Sequence, residues 1–145
     1  MAAGATHVLV TGVYNLGRSP WGLRTGQAPF VESLTSSFNN ALLISIVELG
    51  ATTLYVDSAL FFNLVTANPP TYALTDVTSV ACTSVDPGPG IGTGAGQVNS
   101  NLCTPSTVVT GSDPNRFLWA DRVYPTPRGQ RIFGDFAFNR IHERW

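Results

Sequence analysis

The sequence predicts an α/β domain built on a parallel sheet, and three stretches carry that prediction. His7–Val13, HVLVTGV, is a nearly continuous apolar run, as expected of a strand buried on both faces. Ala28–Gly50 follows with helical periodicity, and Thr53–Asp57 is a second short apolar run. Strand, long helix and strand make one βαβ unit, right-handed by the general rule. Phe117–Trp119 then leads through a tight turn, Arg122–Thr126, into a C-terminal helical pattern.

Each element has a local reason. His7 reads as a strand-start histidine, with nothing nearby in sequence to make it a ligand or a base. Tyr14–Trp21, YNLGRSPW, is a loop. Its Ser19 lacks the Gly-x-Ser-x-Gly elbow that exposes a nucleophile and reads as a turn serine. On Ala28–Gly50 the residues Phe30, Val31, Leu34, Phe38, Ala41, Leu42 and Leu49 mark the apolar face. Asn39 and Asn40 read as solvated, and Gly50 is placed to cap the end. Asp57 ends the second strand and reads as N-cap of a helix over Ser58–Thr66, which Asn68-Pro69-Pro70 breaks. Thr71–Ala81 reads as a helical turn and a crossing segment.

Val85–Asp113 reads as a flexible surface loop. The glycines of Asp86–Gly96 are followed by no Gly-Lys-Ser/Thr and open no helix, so they form no phosphate cradle. About thirty residues is more than a compact domain leaves without order. Cys103 lies in this region and Cys82 just before it, and a disulfide between them would staple it and imply an oxidising compartment. The alternative is two unrelated free thiols. In the last unit Thr126 is placed as helix N-cap. Pro127 takes the first helical position, where a missing N–H costs nothing. Ile132, Phe133, Phe136, Ala137, Arg140 and Ile141 then recur at helical spacing.

The composition excludes some functions. The 145 residues suffice for one core. A formal charge of −1, with arginine as the only strong base, offers nothing to nucleic acid or an anionic membrane. No apolar run reads as a membrane span. His7 and His142 are not spaced with Cys, Asp or Glu as metal ligands, and no cofactor motif is present. Met1-Ala2-Ala3-Gly4 reads as running straight into the first strand, so a secreted parent would carry its signal upstream.

The block Asp121-Arg122-Val123-Tyr124-Pro125-Thr126 resembles the last block of the GDSL-type (SGNH) ester hydrolases. There an Asp, two variable residues, a His and Pro-Thr precede the final helix. Tyr124 stands at the histidine position. Leu16-Gly17-Arg18-Ser19-Pro20 resembles the Leu-Gly-x-Thr/Ser-Pro segment of autotransporter-type members. The family's Gly-Asp-Ser-Leu and Gly-x-Asn-Asp blocks are not among these residues. The resemblance runs from Val8 to Ile141. It implies a three-layer flavodoxin-like (SGNH hydrolase) parallel sheet, of which residues 1–145 would be one domain or the C-terminal half. It also implies an acyl-ester substrate, no cofactor, and a secreted or cell-surface location such as a bacterial periplasm or outer membrane. Asp121 and Tyr124 become the candidate catalytic positions.

Ester hydrolysis of this kind needs a serine, a histidine to activate it and an acid to orient the histidine. Asp-x-x-His puts acid and base on one tight turn. Phenols titrate near ~10, so a phenol in that place is a proton donor at neutral pH unless a cation, such as Arg122 or Arg128, lowers it. Three readings follow: the C-terminal half of an esterase, inactive alone; a non-catalytic relative kept for binding or structure; or a flavodoxin-like domain with another activity. Few strands for such wide helix faces predicts pairing with an N-terminal half, or with a second copy through the open edge of His7–Val13.

Overall fold

The computed structural model describes residues 4–145, and the reading of Met1–Ala3 lies outside the described residues. The chain is α/β, with two parallel strand pairs. β1 (Val8–Thr11) pairs in parallel with β2 (Thr53–Val56), Val8 opposite Thr53 and Thr11 opposite Val56. Between them run α1 (Pro20–Arg24) and α2 (Ala28–Ile46), the latter continued by a 3₁₀ turn at Val47–Leu49. This is the βαβ unit read from the sequence, with β1 shorter than His7–Val13. β1 is also less buried than its composition suggested: alternate residues are exposed, including Leu9. Alternate residues of a strand lie on one face, so one face of β1 is left without a covering layer among the described residues. Among the described residues β1 has a neighbour on one side only.

The buried face of α2 differs from the apolar face predicted. Val31, Thr35 and Asn39 are buried, whereas Phe30, Leu34 and Phe38 are more than half exposed. Asn39, expected to be solvated, is buried because its amide grips the chain after β1. Its Oδ1 accepts the Val13 N–H at 2.8 Å, and its Nδ2 donates to the Val13 carbonyl at 2.7 Å. Asn40 is exposed as expected. Gly12 leaves room beside this clamp, since a Cβ there would crowd the Tyr55 hydroxyl and the Asn39 Oδ1. The stretch Ala28–Leu49 is also 22 residues long and apolar enough by length and composition to cross a membrane, contrary to the expectation that no apolar run reads as a span. Here it is the crossover helix of a βαβ unit, with its polar stripe turned inward.

α3 (Ser58–Ala67) starts on Asp57, whose Oδ1 accepts the Leu60 N–H at 2.9 Å, as its cap position predicted. A 3₁₀ turn at Pro69–Tyr72 follows. Where a crossing segment was expected lies a strand, β3 (Asp76–Val80), parallel to β6 (Phe117–Trp119). Its apolar residues are too few for an alternation signal, and its pairing with β6 is set by tertiary contact. The core lies here: Phe61, Phe62 and Val65 of α3 pack on Leu118 and Trp119 of β6 and on Ile132 of α4 (Pro127–Arg144). Phe61 stacks on Phe136 with ring centroids 4.6 Å apart, and Trp119 donates its indole N–H to the Val77 carbonyl at 2.9 Å.

Residues 81–113 are not a structureless loop. β4 (Val85–Asp86) and β5 (Gln97–Val98) form a short antiparallel pair around the glycine run, and Cys82 bridges to Val108. Cys82 and Cys103 are disulfide-bonded, with Cα atoms 5.8 Å apart. Among the described residues the strands thus stand in three separate two-stranded ladders.

Candidate functional site

The turn after β6 is built around the carboxylate of Asp121, which is fully buried. Oδ1 accepts the N–H of Val123 at 2.8 Å and of Tyr124 at 2.7 Å. An aspartate side chain that bonds backbone two and three residues on closes a turn by itself. Oδ2 accepts the Ser100 N–H at 3.1 Å, which ties the turn to the disulfide-bonded segment. The Tyr124 carbonyl takes the Ala120 N–H at 2.8 Å. Thr126 caps α4 as predicted: its Oγ1 accepts the Gly129 N–H at 3.0 Å and donates to the Phe117 carbonyl at 2.7 Å. Gly129 lets the helix start directly on β6, since a Cβ there would stand 2.7 Å from the Leu118 carbonyl.

Tyr124 stands three residues from Asp121, and only its main-chain N–H meets that carboxylate. Its ring is 43% exposed, and its hydroxyl donates to the Ile91 carbonyl at 3.2 Å, bridging to the glycine-rich segment. Of the two arginines considered as its modulators, Arg128 donates to the Tyr72 carbonyl at 3.0 Å. The Arg122 carbonyl accepts the Trp21 N–H at 3.0 Å, while its side-chain Nε is buried without a hydrogen-bond partner among the described residues.

One residue of the site was missed from sequence. Tyr14, in the loop after β1, packs on Phe62 and Trp119 and donates its hydroxyl to the Val123 carbonyl. Burial, then the negative charge of Asp121, then Tyr124 push its phenol far above the ordinary tyrosine range. It stays a neutral donor that braces the turn. Its only sequence signal was a tyrosine at a strand end, which separates it from no other loop aromatic.

Beside the turn lies a cavity of about 820 Å³. It is lined by Ala81, Ala120, Val108, both cysteines of the disulfide, Ile91 and Tyr124.

The remaining candidates fall apart from this place. Ser19 is fully buried, donates to the Leu16 carbonyl at 2.7 Å and accepts the Gly22 N–H at 3.2 Å, so it caps α1 as a turn serine does. His7 packs on Trp145 and His142 on Phe138, each with centroids 4.3 Å apart. Among the described residues no three His, Cys, Asp or Glu side chains are grouped to hold a metal ion.

No protein-family model matches the chain. It is 28% identical to esterase EstA of Pseudomonas aeruginosa, over 97% of its own length and 20% of that protein's. The same figures hold for esterase EstA of Pseudomonas putida. An uncharacterized protein in the trpE-trpG intergenic region of Pseudomonas putida is 24% identical over 98% of the chain and 22% of its own length. The chain therefore spans about a fifth of the curated relatives it matches. It is similar over nearly all of its length to one segment, about a fifth, of esterase EstA.

Proposed function

We propose that the chain is the C-terminal part of a flavodoxin-like, GDSL-type serine ester hydrolase domain. It contributes the acid turn, with Tyr124 in the place of the base, and is inactive alone. The observation that carries this is the Asp121 carboxylate, buried at the end of a parallel strand and aimed by three backbone N–H groups ahead of a capped helix. Oδ1 is filled by two of them. Oδ2 holds one, so one lone pair is left to orient an imidazole at position 124. The serine and the oxyanion donors would come from chain outside these residues.

That outside chain would also cover two exposed features: the free side of β1, and the face of α2 that carries Phe30, Leu34 and Phe38. The disulfide supports a secreted or cell-surface location, since such bonds persist in oxidising compartments. A second reading, a non-catalytic binding module, is favoured by the Tyr124 hydroxyl, which is spent on Ile91 and not on the carboxylate.

The test is a chimera. The matched segment of Pseudomonas aeruginosa esterase EstA is replaced by this chain, carrying Tyr124 or Tyr124→His, and p-nitrophenyl butyrate hydrolysis is followed. Turnover with Tyr124→His and background with Tyr124 is expected. A folded Tyr124→His chimera at background overturns the hydrolase reading. Turnover with Tyr124 that disappears in Tyr124→Phe overturns the claim that the phenol is no base. Turnover by the isolated chain that needs Ser19 overturns its inactivity.

A further inference from the structure

The Asp121 carboxylate is held from two sides, and the two holds differ in kind. Oδ1 takes the N–H groups of Val123 and Tyr124, from its own turn. Oδ2 takes the N–H of Ser100, which lies 21 residues earlier in the chain. The last torsion of an aspartate side chain is broad, so the plane of the carboxylate is set by its partners. Bonds to Oδ1 alone let the group pivot about that oxygen. The bond to Oδ2 fixes it.

Ser100 is itself held by little else. Asn99, just before it, is fixed: its N–H meets the Ser84 carbonyl at 2.9 Å, and its Nδ2 donates to Asp86 at 2.8 Å. Thr107 is fixed through its carbonyl, which accepts the Thr83 N–H at 2.7 Å. Between these two anchors, the hydrogen bonds of residues 100–106 among the described residues are internal or reach Asn99 and Thr107, save the one from Ser100 to Asp121. Beyond that bond, the span is joined to the body by the Cys82–Cys103 disulfide. Cys103 gives its N–H to the Ser100 carbonyl at 3.1 Å, and Cys82 gives its N–H to the Ala120 carbonyl at 3.0 Å. Asp121, Ser100, Cys103, Cys82 and Ala120 thus close a ring of bonds, and the disulfide is the link in it that a redox reaction can open. Both cysteines line the cavity beside the turn, Cys103 half-buried and Cys82 nearly sealed. Accessible disulfides are the labile and regulatory ones.

We propose that Ser100 is a positioning residue for Asp121 and that the disulfide is its redox-sensitive lock. A dithiol opens the lock. One of its thiolates attacks Sγ of Cys103, the S–S bond breaks, and Cys82 leaves as a thiolate that takes a proton. The second thiol of the reductant then displaces Cys103 and closes the reductant's own disulfide, so two electrons and two protons pass to the protein. Residues 100–106 are then tethered at their ends alone, the Ser100 N–H leaves Oδ2, and the carboxylate loses its aim. The consequence for catalysis rests on the hydrolase reading; the lock does not.

The experiment compares the full chain, oxidised and treated with dithiothreitol, by amide hydrogen exchange. Protection at Ser100 is expected to fall at least roughly tenfold, the factor of one charge-assisted bond, while α3 and α4 keep theirs. Unchanged protection at Ser100, or an equal loss in α3 and α4, which would make the bond a general staple, overturns the proposal. In the Tyr124→His chimera, dithiothreitol should lower kcat at least about tenfold with KM little changed, and re-oxidation should restore it. Ser100→Pro removes the N–H and keeps the disulfide, since Asn99 is already extended (φ −115°, ψ 111°), as a residue before proline prefers. It should show the lowered kcat from the start and no response to dithiothreitol. An active chimera indifferent to dithiothreitol, or a Ser100→Pro chimera that still responds, overturns the proposal and leaves the hydrolase reading. A chimera inactive in both states, with the exchange change at Ser100 present, removes the hydrolase reading and leaves the lock.

Discussion

Replacing Asp121 should cost stability before it costs any chemistry. The carboxylate is fully buried and accepts N–H groups from Val123, Tyr124 and Ser100 at 2.7–3.1 Å. Hydrogen bonds to a charged acceptor contribute about 1.5–3 kcal/mol each, and an orphaned buried donor costs a similar amount. The bonds share one acceptor group, so their losses do not add fully. Asp121→Ala is therefore expected to destabilise by about 3–5 kcal/mol, a large share of the margin of a domain this size. Asp121→Asn separates the two oxygens. An amide oxygen at Oδ1 keeps Val123 and Tyr124, while the NH₂ faces the Ser100 N–H, donor against donor. Its loss should be about 1–3 kcal/mol, with faster amide exchange concentrated at Ser100–Leu102. Urea unfolding followed by far-UV circular dichroism gives both values. An Asp121→Ala protein within about 1 kcal/mol of the parent would refute the view that this carboxylate organises the turn.

Replacing both cysteines with serine should cost roughly 3 kcal/mol in the chain-entropy model, given the sequence separation of 21 between Cys82 and Cys103. Two alkylatable thiols in native, oxidised protein, seen by intact mass, would contradict the bond itself. Asn39→Leu removes both partners of the Val13 backbone and should cost about 2–4 kcal/mol, read as a lowered melting temperature. Acid should destabilise through Asp86 and Asp76. The Asn99 amide and then the Gly88 N–H hold Asp86 below the usual carboxylate range. Burial raises Asp76, but the N–H groups of Ser79 and Thr78 outweigh it and leave it lowered. Folded values below unfolded ones give stability that is complete above about pH 4 and lost as pH falls through the folded values, so the melting temperature should drop only below that point. Asp86→Asn should shrink the drop, and an unchanged acid profile would count against the assignment. At micromolar concentration the isolated chain should sediment as more than a monomer, and Phe30→Ser with Phe38→Ser should return it to one. A monomeric parent with a cooperative melt would count against an uncovered face.

What was legible in the sequence is what short-range rules govern. Asp57 and Thr126 cap their helices because a side-chain oxygen near the first turn needs no tertiary partner to act. The β1–α2–β2 unit could be read because its helix is long and its strands apolar. The Asp121 turn was placed by its motif. β3 was not legible: Asp76–Val80 becomes a strand through its pairing with β6, forty residues away, and local propensity says little about that. The order within residues 81–113 was foreseen only as a disulfide, because a two-residue antiparallel pair leaves no periodicity. Asn39 was misjudged because a polar residue on a helix reads as solvated unless the backbone it will clamp is known. Tyr14 was invisible for the same reason.

The misjudged face of α2 has a physical consequence. Its inward stripe is Val31, Thr35 and Asn39, two of them polar, and its outward stripe is Phe30, Leu34 and Phe38. A helix that had evolved to cover one strand pair in water would be arranged the other way, since burying three large apolar side chains stabilises by several kcal/mol and exposing them gains nothing. Polar contacts inward and apolar ones outward make sense for a helix between two packed bodies. The inner body is β1, held through the Val13 clamp. On the proposed reading the outer one would be a surface that these residues do not contain; among the described residues β1 has one side unpaired. Relatives about five times as long have ample chain to supply both. The unpaired side of β1 and the exposed face of α2 belong to one βαβ unit, whereas the pocket beside Tyr124 is lined by none of that unit's residues.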